Sequence, residues 1–151
     1  MARGIAVLLL AVALCSVARG EDLLPWDGRE VTDLAEKLRD EVEAAATAAD
    51  TSMSQSSLAA HTMRSRARSR LASLLEVTEQ LVTELLQVQG PDRTKLTFDV
   101  VLERAALVRR FMNEEKPSRK LWVLWVDAEA TRRHIARYYG SSDPVTDAAA
   151  P

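Results

Sequence analysis

Glycine and proline, the residues that interrupt helices, are scarce through the centre of this chain. Between Gly28 and Gly140 they occur only at Gly90, Pro91 and Pro117. A serine-rich stretch at 51–57 supplies one further break. Long uninterrupted segments bounded by such residues are typical of helices. The breaks predict four helices, at about 28–49, 57–89, 92–115 and 118–139.

Each predicted helix carries an apolar stripe with steps of three and four residues, which places the stripe on one helical face. The first stripe fades from leucine and valine to alanine, and a capping box of Asp27 and Glu30 opens this helix. Gly90 and Pro91 are expected to end the second helix. The four stripes comprise Val31, Leu34, Leu38, Val42, Ala45 and Ala49; Met63, Ala67, Leu71, Leu74, Leu81, Val82 and Leu85; Phe98, Val101, Leu102, Ala105, Val108 and Met112; and Leu121, Leu124, Trp125, Ala128, Ile135 and Tyr139.

The sequence thus predicts an all-α fold. Short connections favour antiparallel neighbours, so an up-down-up-down four-helix bundle is expected. A long helical hairpin with two shorter helices packed across it is the alternative. The third segment has a second apolar side, which predicts a central position in the bundle or a subunit interface. That second side comprises Leu96, Val100, Leu107 and Phe111.

The N-terminus has the pattern of a secretory signal peptide at residues 1–20. Arg3 precedes an apolar run from Ile5 to Cys15, and small residues follow at the spacing that signal peptidase accepts, with cleavage after Ala18 or Gly20. The run is too short to cross a bilayer, which takes about 20 residues. We expect an exported protein, either periplasmic in a bacterium or secreted. A single helical domain at 21–140 and a disordered tail at 141–151 follow.

Composition limits the chemistry that the exported chain can perform. Cys15 is the only cysteine and leaves with the signal, so neither disulfides nor thiolate metal ligands are expected. Without Arg3 and Arg19, eighteen basic and 22 acidic residues remain, a net charge of −4. Nucleic acid is an unlikely partner for such a chain, because affinity for it comes largely from neutralising phosphates.

Four arginines alternate with small residues at Arg64, Arg66, Arg68 and Arg70. In an antiparallel hairpin they would face an acidic stretch around Asp40 to Glu43 on the first helix, with Glu36 just beyond. The run therefore predicts a charge zipper between the two helices. An anion site for phosphate, lipid headgroups or polyanions is the alternative.

A second candidate site lies on the fourth helix, where Trp122, Val123 and Val126 fall outside the core stripe. Aromatic residues among arginines are typical of interface hot spots and of membrane-surface helices. This patch is therefore a candidate partner or membrane surface. Alternatively, Trp122 packs beneath the apolar segment Leu23–Trp26.

Catalytic, cofactor and metal motifs are absent from the sequence. The two histidines, His61 and His134, project away from the stripes and form no Glu-x-x-His pair, and the covalent haem motif is missing. Neither a glycine-rich phosphate loop nor a nucleophile elbow occurs. No enzyme activity, cofactor or metal is expected.

The expected function is therefore that of an exported helical binding or scaffolding protein. It would act through its surface and through self-association by the third or fourth helix. The alternative is a carrier of an anionic lipid or another apolar ligand, with the arginine run holding the headgroup. A membrane surface is a further possible partner.

Overall fold

A computed structural model of the protein describes residues 23–51 and 58–141. The predicted signal peptide, the serine-rich break and the tail beyond Ser141 lie outside these residues. The described residues form four helices with no strand among them. The helices are α1 (Gly28–Thr51), α2 (Leu58–Leu86), α3 (Pro91–Glu115) and α4 (Arg119–Tyr139).

The helices pack as a four-helix bundle, as the sequence predicts. Helix α1 contacts α2 and α4 along much of its length, α2 also contacts α3, and α3 meets α4 at few positions. All four helices are of similar length, so the alternative of a long hairpin crossed by two shorter helices is wrong. None of these helices contains a stretch long and apolar enough to cross a bilayer.

The predicted stripes form one continuous core. Nearly all of their residues are buried, and Leu34, Met63 and Leu124 are half-buried at its edge. Thr78 fills the gap in the α2 stripe, where its hydroxyl donates a 2.8 Å hydrogen bond to the Leu74 carbonyl. Because the α1 stripe fades into alanine, α2 and α4 can approach this helix closely.

The turn between α2 and α3 differs from the prediction. Helix α2 ends at Leu86, and Gly90 caps the start of α3 with an extended backbone and Pro91 at the first helical position. The residue with a left-handed backbone is Val88, whose φ is 57°. This conformation costs a non-glycine residue about 1–2 kcal/mol. Val88 therefore has a strained backbone conformation and carries an exposed apolar side chain in this turn.

The segment before α1 closes one end of the bundle. Its backbone is tied to α4, because the Leu24 amide donates to the Arg137 carbonyl over 3.1 Å. Trp26 meets the Tyr139 ring edge-on, with 5.2 Å between centroids. Tyr139 also stacks on Phe98 of α3 at 4.5 Å. Tyr139 therefore links the N-terminal segment, α3 and α4 at this end of the bundle.

Helix ends at this closed end are capped by local side chains and by glycine. The Asp27 carboxylate accepts hydrogen bonds from the amides of Arg29 and Glu30, at 3.0 and 3.1 Å. Among the described residues, no hydrogen bond returns from the Asp27 amide to the Glu30 carboxylate, so only half of the predicted capping box forms. Gly140 ends α4 with a φ of 63°, a conformation that favours glycine.

The Tyr139 hydroxyl makes the stability of the bundle depend on pH. It lies 2.7 Å from the Thr94 hydroxyl of α3. Burial raises the pKa of Tyr139 to about 12, although the hydrogen bond with Thr94 opposes the rise. An unfolded tyrosine titrates near pH 10. The folded state thus retains the phenolic proton over a range in which the unfolded state releases it.

We predict that stability falls as pH rises from about 10 through 12, because the unfolded state loses its Tyr139 proton first. At pH 9 this contribution is fully present, and by pH 11 about 1 kcal/mol should be lost, since partial solvent screening reduces the effect. Urea unfolding at the two pH values measures the loss. Tyr139→Phe should flatten this dependence, whereas Tyr138→Phe should leave most of it. If the stability of Tyr139→Phe fell with pH as steeply as that of the wild type, the assignment of this pH dependence to Tyr139 would be wrong.

Candidate functional site

The interface between α3 and α4 is the most open in the bundle, and it contains a groove of about 300 Å³. Large side chains separate the two helices here. The α4 wall is mostly apolar, whereas α3 contributes polar groups. The lining residues are Arg109 and Asn113 of α3, and Trp122, Trp125, Val126, Glu129, Ala130 and Arg133 of α4.

An ionic cluster forms part of this groove, with three arginines arranged around Glu129. Arg132 is 2% exposed and binds the carboxylate through two hydrogen bonds, at 3.0 and 2.9 Å. Arg109 reaches the same carboxylate from α3, and the Arg133 Nε lies 3.5 Å from Glu129 Oε1. The cluster thus connects α3 to α4 across the open interface.

The geometry gives the groove a positive rim and an apolar wall. Arg109 and Arg133 both line the groove, and Arg133 is largely exposed. Glu129 is the only acidic residue among the lining residues. A guanidinium group binds carboxylates with two parallel hydrogen bonds. The groove can therefore receive an apolar group that carries a negative charge nearby.

The predicted patch on α4 continues this groove onto the outer surface of the bundle. Trp122, Val123 and Val126 are 40%, 51% and 48% exposed. Trp122 and Val126 also line the groove, while Trp125 is buried behind them. We call Trp122, Val123 and Val126 together with the groove the α4 face.

The N-terminal segment does not cover Trp122, so that interpretation is wrong. Leu24 and Trp26 contact Arg137 and Tyr139 at the C-terminal end of α4. Trp122 is near the opposite end of the same helix, about 25 Å away at 1.5 Å per residue. The apolar area of the α4 face is thus left open by the rest of the described chain.

The four arginines of α2 do not form the predicted zipper with Asp40, Glu41 and Glu43. Arg66 pairs with Glu115 of α3 at 3.1 Å, and Arg68 lies 4.0 Å from Asp50. Arg70 donates to the Leu107 carbonyl and lies over the Phe111 ring. The guanidinium groups on one side of the run thus face α3, a rotation of α2 that the sequence pattern does not fix.

The remaining arginine of the run, Arg64, is half-buried, and its Nε has no hydrogen-bond partner. The acidic residues predicted to face the run pair locally instead: Asp40 with Arg39 at 2.7 Å and Glu41 with Lys37 at 3.7 Å. An anion site at these arginines stays a prediction, although three of the four already have partners within the bundle.

His61 is exposed at the start of α2, and His134 lies 5.9 Å from the Tyr138 ring on α4. Within residues 23–51 and 58–141, no group of three potential ligands comes together in a way that could hold a metal ion. On the second side of α3, Phe111 is buried, whereas Leu96 and Leu107 are 76% and 40% exposed.

Sequence reasoning missed the ionic cluster entirely. Glu129, Arg132 and Arg133 have the spacing of ordinary helical salt bridges, which normally lie in water. The spacing along α4 could have indicated that these residues are buried. Glu129 and Arg132 follow Trp125 and Ala128 of the core stripe by four residues each, so they lie beside that stripe on the helix. Nothing in the pattern of α3 singled out Arg109 as the residue that completes the cluster.

Comparison with known proteins finds no family model, curated protein or solved structure that matches this chain.

Glu129→Gln should destabilise the protein by about 3 kcal/mol, because it removes the negative charge that the buried Arg132 guanidinium binds. Urea unfolding monitored by circular dichroism measures the change. Glu114→Gln is the matched control, since Glu114 forms an exposed pair with Arg110 at 2.7 Å and such pairs contribute little. Similar losses of unfolding free energy in both variants would contradict a stabilising role for the Glu129 cluster.

Proposed function

We propose that this protein is an exported, non-enzymatic binding protein whose working surface is the α4 face. One observation carries the proposal: an exposed tryptophan and two valines merge with a groove that has arginines at its rim. Interfaces are enriched in tryptophan and arginine, and their hot spots are apolar side chains inserted into pockets.

The chemistry of the face indicates its partner. We propose a protein segment that inserts one apolar side chain beside Trp122 and surrounds it with carboxylates. Arg133, whose side chain is 61% exposed, is placed to bind such carboxylates, and the largely buried Arg109 adds positive charge to the groove. The groove volume is at the lower end of the range for small-molecule pockets, and the apolar area continues beyond it. An open surface of this kind suits a side chain of a larger partner.

A symmetric dimer through the α4 face is disfavoured by charge. Antiparallel pairing of two α4 helices centred on Val126 would place Arg119 opposite the partner's Arg133. Like charges directly opposed cost binding energy. A second copy could instead offer the outer side of α3, where Leu107 is exposed between Glu103 and Glu114. Self-association would then be head-to-tail, and light scattering at increasing concentration detects it.

The non-enzymatic part of the proposal rests on the lining of the groove. Its residues include no histidine, cysteine, serine or lysine that could act as a nucleophile or base. Glu129 already accepts from guanidinium groups on both oxygens. It is therefore poorly placed to remove a proton from a ligand.

We predict that Val126→Asp abolishes partner binding while leaving the fold intact, because Val126 is half-exposed and its replacement puts a charge into the apolar contact. Cross-linking in the native host identifies the partner, and titration of the two purified proteins then measures Kd. Leu96→Asp, an exposed apolar position near the start of α3 that belongs to neither proposed contact surface, is the control. Affinity for wild type should fall as salt rises, because arginines form the rim. Equal losses in both variants, or none, would contradict the proposal.

A carrier function is the second candidate, favoured by the proximity of Arg109 and Arg133 to two tryptophans in one groove. A small amphipathic anion would place its charged group at the arginines and its apolar part against Trp122 and Trp125. Native mass spectrometry of protein purified from its host should then show a bound ligand, and Arg133→Gln should reduce its occupancy. Uniformly ligand-free protein would rule this candidate out.

A further inference from the structure

Glu129 does not hold its three arginines equally. Arg132 and Arg109 are 2% and 16% exposed, and both donate hydrogen bonds to the carboxylate. Arg133 is 61% exposed, and its Nε lies 3.5 Å from Glu129 Oε1. That separation exceeds the length of about 2.7–2.9 Å that is typical of a charge-assisted hydrogen bond. Glu129 therefore holds Arg133 more weakly than it holds the other two guanidinium groups.

Both oxygens of Glu129 keep a hydrogen-bond donor without Arg133. Arg132 donates to Oε2 through Nε at 3.0 Å and to Oε1 through Nη2 at 2.9 Å, and Arg109 also donates to Oε1. The Glu129 side chain is 9% exposed, and a buried charge that loses its partners is costly. Because two guanidinium groups remain, Arg133 can turn away and Glu129 stays paired.

Positive charge exceeds negative charge in the groove. Among the described residues that line it, Arg109 and Arg133 accompany a single acidic residue, Glu129, and the third arginine of the cluster binds the same carboxylate. The exposed acids Asp127 and Glu114 do not line the groove. A second carboxylate would reduce this excess of positive charge beside an apolar wall, where charges attract more strongly than in water.

The apolar and charged contacts of the groove lie on one side of α4. The lining residues Trp122, Val126, Glu129 and Arg133 recur there at steps of four, three and four. Arg133 follows Val126 by seven residues, which is about 10 Å along the helix. An extended partner covers that distance with about three residues. An acidic residue up to three positions from the inserted apolar side chain can therefore reach Arg133.

We infer that Arg133 selects a carboxylate-bearing partner, and that binding transfers its guanidinium group from Glu129 to the partner's carboxylate. In the unbound protein, Glu129 keeps Arg133 at the groove. A bound carboxylate offers Arg133 two parallel hydrogen bonds, while Arg109 and Arg132 stay on Glu129. This inference rests on the proposed function, because the apolar part of the partner has to enter the groove of the α4 face.

Titration of the purified protein with two small probes, followed by nuclear magnetic resonance, tests the inference. Cyclohexanecarboxylate carries an apolar ring and a carboxylate, and cyclohexanemethanol carries the same ring without a charge. The carboxylate should bind the wild type with a Kd of about a few millimolar, and the alcohol should bind more weakly. The Nε–H signal of Arg133 should shift when the carboxylate is added, whereas those of Arg109 and Arg132 should not.

Arg133→Gln should raise the Kd of the carboxylate about tenfold, because it removes one charge-assisted contact, and should leave the Kd of the alcohol unchanged. Its stability in urea should stay close to that of the wild type, since Glu129 keeps two donors. Arg119→Gln is the matched control, because it removes the same charge from an exposed position of α4 that does not line the groove. This variant should bind the carboxylate as the wild type does.

Glu129→Gln gives a second readout. It should bind the carboxylate more tightly than the wild type does, because Glu129 no longer competes for Arg133. Circular dichroism verifies that this variant is folded at the temperature of the titration. An unchanged Kd in folded Glu129→Gln would contradict the transfer of Arg133.

Wild type that does not bind the carboxylate, or binds both probes equally, would overturn the inference. Equal losses in Arg133→Gln and Arg119→Gln would do the same. The proposed function can fail or stand separately. If Val126→Asp loses the protein partner while Arg133→Gln keeps full affinity for it, the α4 face binds that partner and the transfer of Arg133 is wrong. If Arg133→Gln loses the carboxylate while Val126→Asp keeps the protein partner, the anion contact stands and the proposed interface is wrong.

Discussion

The size of the side chains between neighbouring helices determines the shape of this bundle. Helix α1 presents Ala35, Ala45, Ala48 and Ala49 to its neighbours, and small residues allow helix axes to come close. Trp125, Arg109 and Arg132 occupy the space between α3 and α4 instead. Three interfaces are therefore close and one is open. The groove follows from this difference in volume, and no separate insertion or loop is needed to build it.

Ion pairs around Glu129 hold α3 and α4 together at the open interface, whereas apolar contacts hold the other interfaces of the bundle. Arg109 reaches Glu129 from α3 across this open interface. Burying this carboxylate with Arg132 is costly, since desolvation offsets much of the attraction between charges. Such a cluster contributes less to net stability than to fixing the separation and rotation of α3 and α4. The positions of Trp122 and Val126 at the groove depend on that rotation.

The sequence was sufficient for features that depend on local order along the chain. The extents of α1, α3 and α4 follow from Gly28, Pro91, Pro117 and Gly140, and the core stripes follow from apolar spacing. Features that depend on how one helix is rotated against another could not be predicted. Arg66 and Arg70 contact α3 instead of α1, because the rotation of α2 about its axis is set by packing against its neighbours. The path of the N-terminal segment was missed for a similar reason, because nothing local to Trp26 identifies Tyr139 as its contact.

Polar residues beside a core stripe present a particular difficulty for sequence reasoning. Glu114 and Glu129 each have an arginine three or four residues away along the chain, and the patterns are almost equivalent. Glu114 lies in water with Arg110, whereas Glu129 is buried because α3 supplies Arg109 from the side. The deciding partner is twenty residues away in sequence. Whether an ion pair on a helix is buried therefore depends on a contact from another helix, which local sequence spacing does not reveal.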